Sequence, residues 1–238
     1  MGEWTVRILS WNCRGGLQNK FSELIKVRAD LYLIQEVGNG QKWLNLDDFP
    51  NDNYLFESKN GTTHNDRNGI LAFSLNHDIR VKANNNLFDL DMRYYQYLTF
   101  GTYDVLNVWT HAPAYIEDLY SFIYVNQQKL LLNKSNTVIM GDFNSNVIWS
   151  DHEHKFRNHD DLNTLMEKYN FASGYHEISK TPFGQETDYT FRQKRRGKIN
   201  KYYIDYAYTS DKLIQNFEVI HNFDDLSDHS AILIEVEN

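Results

Sequence analysis

The chain has 238 residues, 41% of them hydrophobic and 15% aromatic, which suits a domain with a sizeable core and excludes disordered and fibrous classes. Its formal net charge of −8 argues against a broad basic surface for duplex nucleic acid. One cysteine excludes an internal disulfide, no secretion signal follows Met1, and no apolar stretch approaches the ~18 residues of a membrane span, so we expect a cytoplasmic protein.

Short apolar runs predict strands throughout the first half of the chain. Val6–Trp11 and Leu31–Val37 have the continuous apolar character of buried strands, and a helix is predicted between them at Lys20–Val27. Gly101 separates two longer runs and predicts a hairpin. The further strands predicted in this half are Tyr54–Glu57, Ile70–Ser74, Ile79–Lys82, Tyr94–Phe100 and Tyr103–Thr110.

The second half combines two helices with more strands. Apolar residues spaced by three, four and seven predict helices at Ile116–Leu132 and Asp160–Tyr169. Strands are predicted at Thr137–Met140, Tyr189–Phe191, Tyr202–Tyr208, Phe217–Ile220 and Ala231–Val236. The length alone allows one domain or two small ones. The pattern favours one α/β (α+β) domain over residues 1–238, a four-layer α/β/β/α sandwich of two mixed sheets flanked by helices.

Polar and acidic residues recur where the apolar strands stop. Each has an ordinary interpretation, such as a turn for the Asn and Asp residues, a surface strand end for Glu36, or a core histidine for His111. Together they supply carboxylates, carboxamides and imidazoles, a hard-oxygen set that suits Mg²⁺, with acid–base groups beside it. No thiolate cluster competes for zinc. The residues are Asn12, Glu36, His111, Asp142, Asn144, Asp205, Asp228 and His229.

Four motifs in a fixed order resemble the endonuclease/exonuclease/phosphatase superfamily, whose members include pancreatic-type deoxyribonuclease and the exonuclease III-like enzymes. Any one of them alone is weak evidence, whereas the ordered set spans nearly the whole chain. The run that begins at Gly141, with the later Asn158-His159, is similar to a compact bacterial branch. The motifs are Trp11-Asn12, Gln35-Glu36, Gly141-Asp142-Phe143-Asn144 and Ser227-Asp228-His229, with Tyr203–Tyr206 before the last.

The resemblance implies a metal and an activated water. Glu36 would hold Mg²⁺, for which Mn²⁺ can substitute, with Asn12 and Asp228 close by. Asp142 would orient or deprotonate the attacking water, and Asn144 would hold that water or a phosphate oxygen.

The resemblance also implies groups that stabilise the reacting phosphate. His229, oriented by Asp205, would stabilise the charge that develops on the phosphorus centre or act as general acid. His111, in Thr-His-Ala-Pro, would lie against the phosphate.

Three features bear on the substrate without settling it. The segment Arg192–Lys201 holds Arg192, Arg195 and Arg196 among six cations, and it is either a strip for a nucleic-acid backbone or a solvated hairpin tip. Trp149 either stacks on a base or packs in the core. His159 either contacts the substrate or caps the helix that follows.

Three functions therefore remain in competition. The first is a nuclease that cleaves DNA or RNA, which makes nucleic acid the expected partner. The second is a phosphodiesterase or phosphatase for a small nucleotide, sugar phosphate or lipid headgroup, which the acidic charge favours. The third, a catalytically inactive binding module, is disfavoured because every expected catalytic position is filled. Salt-dependent binding of polynucleotide separates the first from the second.

Overall fold

The computed structural model describes residues 5–38, 40–58, 69–90, 92–132, 134–152 and 155–237, whose strands form two six-stranded sheets and a separate hairpin. The sheet orders are β13-β14-β1-β2-β4-β3 and β5-β6-β7-β8-β12-β9, and β10 pairs with β11. In chain order the strands are β1 Thr5–Asn12, β2 Leu31–Gln35, β3 Tyr54–Glu57, β4 Ile70–Phe73, β5 Val81–Ala83, β6 Tyr94–Phe100, β7 Tyr103–Trp109, β8 Thr137–Asp142, β9 Phe171–Ser173, β10 Phe191–Arg195, β11 Lys198–Tyr202, β12 Asp205–Ser210, β13 Ile214–Ile220 and β14 Ala231–Glu237.

Helices cover the outer face of each sheet. The α-helices are α1 Phe21–Leu24, α2 Ile116–Leu130, α3 His159–Lys168 and α4 Gly174–Ser179. Short 3₁₀ helices occupy Leu17–Asn19, Ile25–Val27, Lys42–Asn45, Val147–Trp149, Asp211–Leu213 and His221–Phe223. None of the helices in the described ranges is long and apolar enough to cross a membrane.

Three apolar layers hold the sandwich together. The inner faces of both sheets pack on each other, while α2 and α3 pack on the second sheet and α1 with its neighbouring turns packs on the first. The pairs β1–β2 and β7–β8 are parallel and their neighbours are antiparallel, so both sheets are mixed. The predicted α/β/β/α sandwich of two mixed sheets is confirmed. Fully buried side chains between the sheets include Ile8, Leu33, Val105, Met140 and Ile232.

The helix boundaries differ from the prediction where local capping decides them. Asn158 accepts the backbone N–H of Asp161 in a capping box, so α3 begins at His159. The helix predicted at Lys20–Val27 divides into α1 and a 3₁₀ turn. The sequence did not predict α4 or β9, because six and three residues are too short to show periodicity.

One edge of the sandwich collects the strand ends that carry the polar residues. β1 and β2 end there side by side, with Asn12 opposite Gln35. In the second sheet Trp109, Asp142 and Asp205 lie in neighbouring register at the end of β7, the end of β8 and the start of β12. Parallel neighbours end at the same edge and antiparallel neighbours begin there, so the topology gathers these side chains at one place.

Candidate active site

Asn12 joins the two sheets at the centre of this edge. Its side-chain amide donates to Glu36 Oε1 at 3.1 Å and to Asp142 Oδ2 at 2.9 Å. Its Oδ1 accepts the Arg14 N–H at 3.0 Å, and its carbonyl oxygen accepts the Ser227 hydroxyl at 2.7 Å. Asn12 and Asp142 are both 1% exposed, so these bonds act at low dielectric and hold two carboxylates together.

The loop after β8 presents Asp142 and Asn144 to the same point. Gly141 is required because its φ is 150° and a Cβ there would lie 2.0 Å from the Val108 carbonyl oxygen. Asp142 accepts the backbone N–H and the side-chain amide of Asn144, both at 2.9 Å. Asn144 Nδ2 also donates to the Thr110 carbonyl oxygen at 3.1 Å. The Asp142 carboxylate is therefore held by amide donors from both sheets.

His229 completes a buried acid–imidazole pair beside Asp142. Its Nδ1 lies 3.0 Å from Asp205 Oδ2, and its Nε2 lies 3.9 Å from Asp142 Oδ2. The Trp11 indole N–H donates to the His229 carbonyl oxygen at 3.0 Å. In the Trp-Asn pair, Trp11 thus fixes the backbone of His229 and Asn12 binds the two carboxylates. The imidazole thus points Nε2 toward Asp142 while Asp205 holds Nδ1.

Burial and the charge of the partner group have opposing effects on the pKa of Asp142 and on the pKa of His229. Burial raises the pKa of Asp142 to about 7, against the opposing effect of a cationic His229. Burial favours the neutral imidazole, but the carboxylates of Asp205 and Asp142 outweigh it and raise the pKa of His229 to about 9. The site therefore offers a proton acceptor poised near neutrality and an imidazolium at neutral pH.

Replacing Asp205 with Asn should lower the pKa of His229, because it removes the nearest charge that favours the imidazolium and leaves burial to favour the neutral ring. The measurement is an NMR titration of the His229 ring protons in buffer with a chelator. We expect a midpoint near 9 in the wild type and a clearly lower midpoint in Asp205→Asn. Equal midpoints would show that Asp205 does not set the charge of His229.

The oxygen donors around Asn12 fit a hard divalent cation. Glu36 is half-exposed beside Asn12, and Arg14 connects Asn12 to Asp228 through a contact of 3.3 Å from its Nε to Asp228 Oδ2. The three residues expected to hold the metal are thus linked. Ligand atoms of Asp142, Asp205 and His229 also lie within 4.8 Å of one another. A protonated imidazole has no lone pair for a metal, so we favour the Glu36 side.

Arg14 is a site residue that the sequence did not single out. It has φ of 52°, and Glu36 and Asn144 have φ of 55° and 47°, so three loops of the site hold non-glycine residues in the left-handed region. Such backbone costs energy and is typical of functional loops. No signal in the sequence could have identified Arg14 as a site residue, because only the fold brings it next to Asp228.

His111 lies at the rim of the same edge and is half-exposed, so the core-histidine interpretation is wrong. It follows Thr110, whose carbonyl oxygen binds Asn144. Its ring lies edge-on to Trp109 with the centroids 5.6 Å apart. Contact with a phosphate stays a prediction.

The basic segment forms the β10–β11 hairpin, whose register pairs Arg195 with Lys198. Arg195 and Arg196 are exposed at its turn. Arg192 is different, because its guanidinium donates to the carbonyl oxygens of Asp224 and Ser227 and so supports the loop before Asp228. Of the hairpin, the predicted strands Tyr189–Phe191 and Tyr202–Tyr208 reach only its two ends, Phe191 and Tyr202, because a charged ribbon that solvent reaches on both faces shows no apolar alternation.

Trp149 and His159 both pack against neighbouring side chains. Trp149 is half-buried and packs on Tyr202, at the base of the hairpin, with centroids 5.1 Å apart. Stacking of Trp149 on a base stays a prediction. His159 is fully buried with Nδ1 3.2 Å from Ser145 Oγ, and Asn158 is the helix cap, so neither role expected for His159 holds.

Comparison with known proteins gives one matching family model and several matching structures. The model of the "Endonuclease/Exonuclease/phosphatase family" matches residues 9–229 and confirms the resemblance carried by the four motifs. No curated protein sequence matches the chain.

Three solved structures have the same fold at low sequence identity. The Xenopus laevis APE2 catalytic domain has a TM-score of 0.73 and 15% identity, with 98% of this chain and 92% of that chain covered. The 3′-5′ exonuclease NExo from Neisseria meningitidis has a TM-score of 0.67 and 14% identity, with 98% and 100% covered. The endonuclease domain of TRAS1, a telomere-specific non-LTR retrotransposon, has a TM-score of 0.67 and 18% identity, with 97% and 98% covered.

Proposed function

Because the chain belongs to the endonuclease/exonuclease/phosphatase family, we propose that it is a divalent-metal-dependent phosphodiesterase that cleaves nucleic acid. One observation carries the proposal. Asn12 holds the carboxylates of Glu36 and Asp142 together while the His229 imidazole, paired with Asp205, faces Asp142. A candidate metal ligand, a base and a cation thus surround one point, which is the arrangement that attack of water on a phosphodiester needs.

The protein groups divide the reaction between them. Asp142 takes the proton of the attacking water as the new P–O bond forms, and Asn144 orients that water or a phosphate oxygen. His229 stabilises the charge that develops as the P–O bond to the leaving oxygen breaks, or donates its proton to that oxygen. Each acid–base group contributes roughly 10²–10⁴-fold to the rate.

The metal that we propose is Mg²⁺, for which Mn²⁺ can substitute. Glu36 would hold it, with Asn12 and Asp228 close by. A bound cation neutralises phosphate charge, because a phosphodiester is an anion that repels an attacking oxyanion. The donor oxygens are the hard type that Mg²⁺ prefers.

The hairpin favours a polynucleotide over a small phosphoester. Its exposed cations lie beside the site. Phe191 of β10 forms an isolated β-bridge with His229, and β11 ends at Tyr202, three residues before Asp205. The neighbours are named as an exonuclease, an endonuclease domain and a catalytic domain, which adds support for a nuclease. The overall charge of −8 is the observation that keeps a small nucleotide or headgroup ester as the second candidate.

Replacing Arg195 and Arg196 together with Gln should weaken polynucleotide binding and flatten its salt dependence. Each lost phosphate contact lowers the slope of log K against log salt by roughly 0.7–0.9, so the pair should lower it by about 1.5. The measurement is fluorescence anisotropy with labelled single-stranded oligonucleotide over a range of salt. The control is Arg80→Gln with Lys82→Gln, near the opposite edge. A slope equal to that of the wild-type protein would show that the hairpin does not contact the polynucleotide and is a solvated tip.

The test of the proposed function is a substrate comparison with Mg²⁺ present and with Mg²⁺ chelated. The substrates are single-stranded DNA, duplex DNA, RNA and a generic bis-phosphodiester. Metal-dependent cleavage of a polynucleotide supports a nuclease and shows the preferred strand. Cleavage of the bis-phosphodiester with every polynucleotide intact would support the small-phosphoester candidate instead.

A further inference from the structure

Polar side chains interrupt the apolar space between the two sheets next to the catalytic edge, which is the edge that carries Asn12 and Asp142. Farther from this edge, the inward-facing side chains of four strands are apolar, at Ile8, Leu33, Leu98 and Val105. Two residues closer to the edge, each of these strands has a polar side chain that is at most 1% exposed. The polar residues are Ser10 of β1, Gln35 of β2, Gln96 of β6 and Asn107 of β7.

Hydrogen bonds join the three carboxamides, Gln35, Asn107 and Gln96, into an amide bridge. Gln35 Nε2 donates to Asn107 Oδ1 at 2.8 Å and to Ser10 Oγ at 3.0 Å. Asn107 Nδ2 donates to Gln96 Oε1 at 3.0 Å. Gln96 Nε2 donates to the Leu55 carbonyl oxygen at 3.0 Å. The amide bridge therefore leaves the first sheet at β2, crosses to the second sheet and returns to the first sheet at β3.

The amide bridge lies directly behind the candidate metal site. Gln35 precedes Glu36 in the chain and is paired in register with Asn12. The bond from Asn12 to Asp142 joins β1 to β8. The bond from Gln35 to Asn107 joins β2 to β7, which are the parallel neighbours of β1 and β8. Two adjacent bonds thus hold the end of the first sheet against the end of the second.

Stability alone does not account for the orientation of the Gln35 amide. Its Oε1 is buried and has no hydrogen-bond partner among the residues that the structure describes. A buried polar atom without a partner destabilises a fold, and an apolar side chain of the same shape is often equally stable or more stable. Turning the amide over would set Oε1 against Asn107 Oδ1, and both atoms are acceptors. The bond to Asn107 is therefore made although it leaves one oxygen unpaired.

We propose that Gln35 and Asn107 are positioning residues that hold the ends of the two sheets at the separation the site requires. Through the strand ends they set Glu36 against Asp142, and neither of them contacts the metal or the substrate. The inference rests on the proposed function, in which Glu36 and Asp142 act on the same phosphate. When the bond between the sheets is removed, each sheet keeps its own backbone hydrogen bonds, so we expect metal affinity to fall before the fold is lost.

The experiment measures binding of Mn²⁺ to metal-free protein, through the electron paramagnetic resonance signal of free Mn²⁺, together with the thermal midpoint without metal. Gln35→Met and Asn107→Leu nearly keep the side-chain volumes and remove the same bond. Each should raise the Kd for Mn²⁺ about tenfold, because groups behind metal ligands typically contribute roughly 10–100-fold to affinity. The double variant should also raise the Kd about tenfold, because the two substitutions remove one shared interaction.

The thermal midpoint separates positioning from a merely structural role. Gln35→Met exchanges one unpaired buried oxygen, Gln35 Oε1, for another, Asn107 Oδ1, so its thermal midpoint should stay near the wild-type value. The matched control is Asn53→Leu, at a carboxamide that is 1% exposed near the opposite edge, before β3. Asn53 binds the Ile79 carbonyl oxygen at 2.9 Å and the Val81 N–H at 2.8 Å. The control should lower the thermal midpoint and leave the Kd unchanged.

Four outcomes would count against the account, and they are distinguishable. A Kd for Mn²⁺ in Gln35→Met equal to that of the wild type or of Asn53→Leu would overturn the positioning role and leave the nuclease function standing. Single effects that multiply in the double variant would also overturn the positioning role. Weaker Mn²⁺ binding in the bridge variants, with no metal-dependent turnover of any phosphodiester by the wild type, would overturn the proposed function alone. A wild-type protein that binds no Mn²⁺ would overturn both.

Discussion

Asp142→Asn should lower kcat for phosphodiester cleavage by roughly 10²–10⁴-fold, because an amide cannot take the proton of the attacking water. The Asn side chain keeps the shape of Asp142 and one oxygen for the side-chain amides of Asn12 and Asn144, but its NH2 group faces the Asn144 backbone N–H and loses that hydrogen bond. We therefore expect a folded protein with a lower thermal midpoint. The measurement is kcat with a bis-phosphodiester, together with circular dichroism and the thermal midpoint of the variant.

The matched control is Asp104→Asn, the same substitution at the opposite end of the second sheet. Asp104 is also largely buried and binds Lys134 Nζ at 2.8 Å. The control should lose stability, because the charge-assisted bond weakens, while kcat stays near the wild-type value. A folded Asp142→Asn protein with nearly wild-type turnover would remove Asp142 from the mechanism.

His229→Asn should lower kcat by a similar factor, roughly 10²–10⁴-fold. Asn can still donate to Asp205 from near the position of Nδ1, but it offers nothing at the position of Nε2, 3.9 Å from Asp142 Oδ2. The loss should therefore appear in turnover more than in stability. The measurement is kcat in parallel with the free energy of unfolding in urea.

His229→Ala serves as a second variant with a different expected balance. It leaves the buried Asp205 carboxylate unpaired, which typically costs 3–5 kcal/mol, so the Ala protein should be less stable than the Asn protein at similar kcat. His77→Ala, at an exposed histidine beside Asp52, should leave both quantities near the wild-type values. Turnover of His229→Asn within a few fold of the wild type would contradict the assignment of His229.

Much of this site was predictable because its candidate catalytic residues lie at strand ends. The apolar runs before Asn12, Glu36 and Asp142 read as strands from the sequence alone. Strand ends at one edge place polar residues together without any knowledge of side-chain rotamers. The order of the motifs then indicated the family, and the family resemblance predicted that Asp205 orients His229.

The residues that escaped prediction depend on contacts that only the tertiary fold creates. Arg14 belongs to the site because it contacts Asp228, which lies more than 200 positions away in the sequence. Arg192 is indistinguishable from Arg195 by composition, yet it is half-buried and binds backbone carbonyl groups of another loop. His159 lies beneath the loop of Asn144 through Ser145, a contact that no local pattern shows.

The most direct test of the central claim is a titration of Mg²⁺ into chelator-treated protein, with cleavage of single-stranded polynucleotide as the readout. The wild type should be inactive without metal and should gain turnover that saturates with Mg²⁺. Asp142→Asn, at saturating Mg²⁺, should remain lower by roughly 10²-fold or more. Turnover that persists in excess chelator, or equal saturating rates in the two proteins, would contradict a metal-dependent phosphodiesterase built on Asp142.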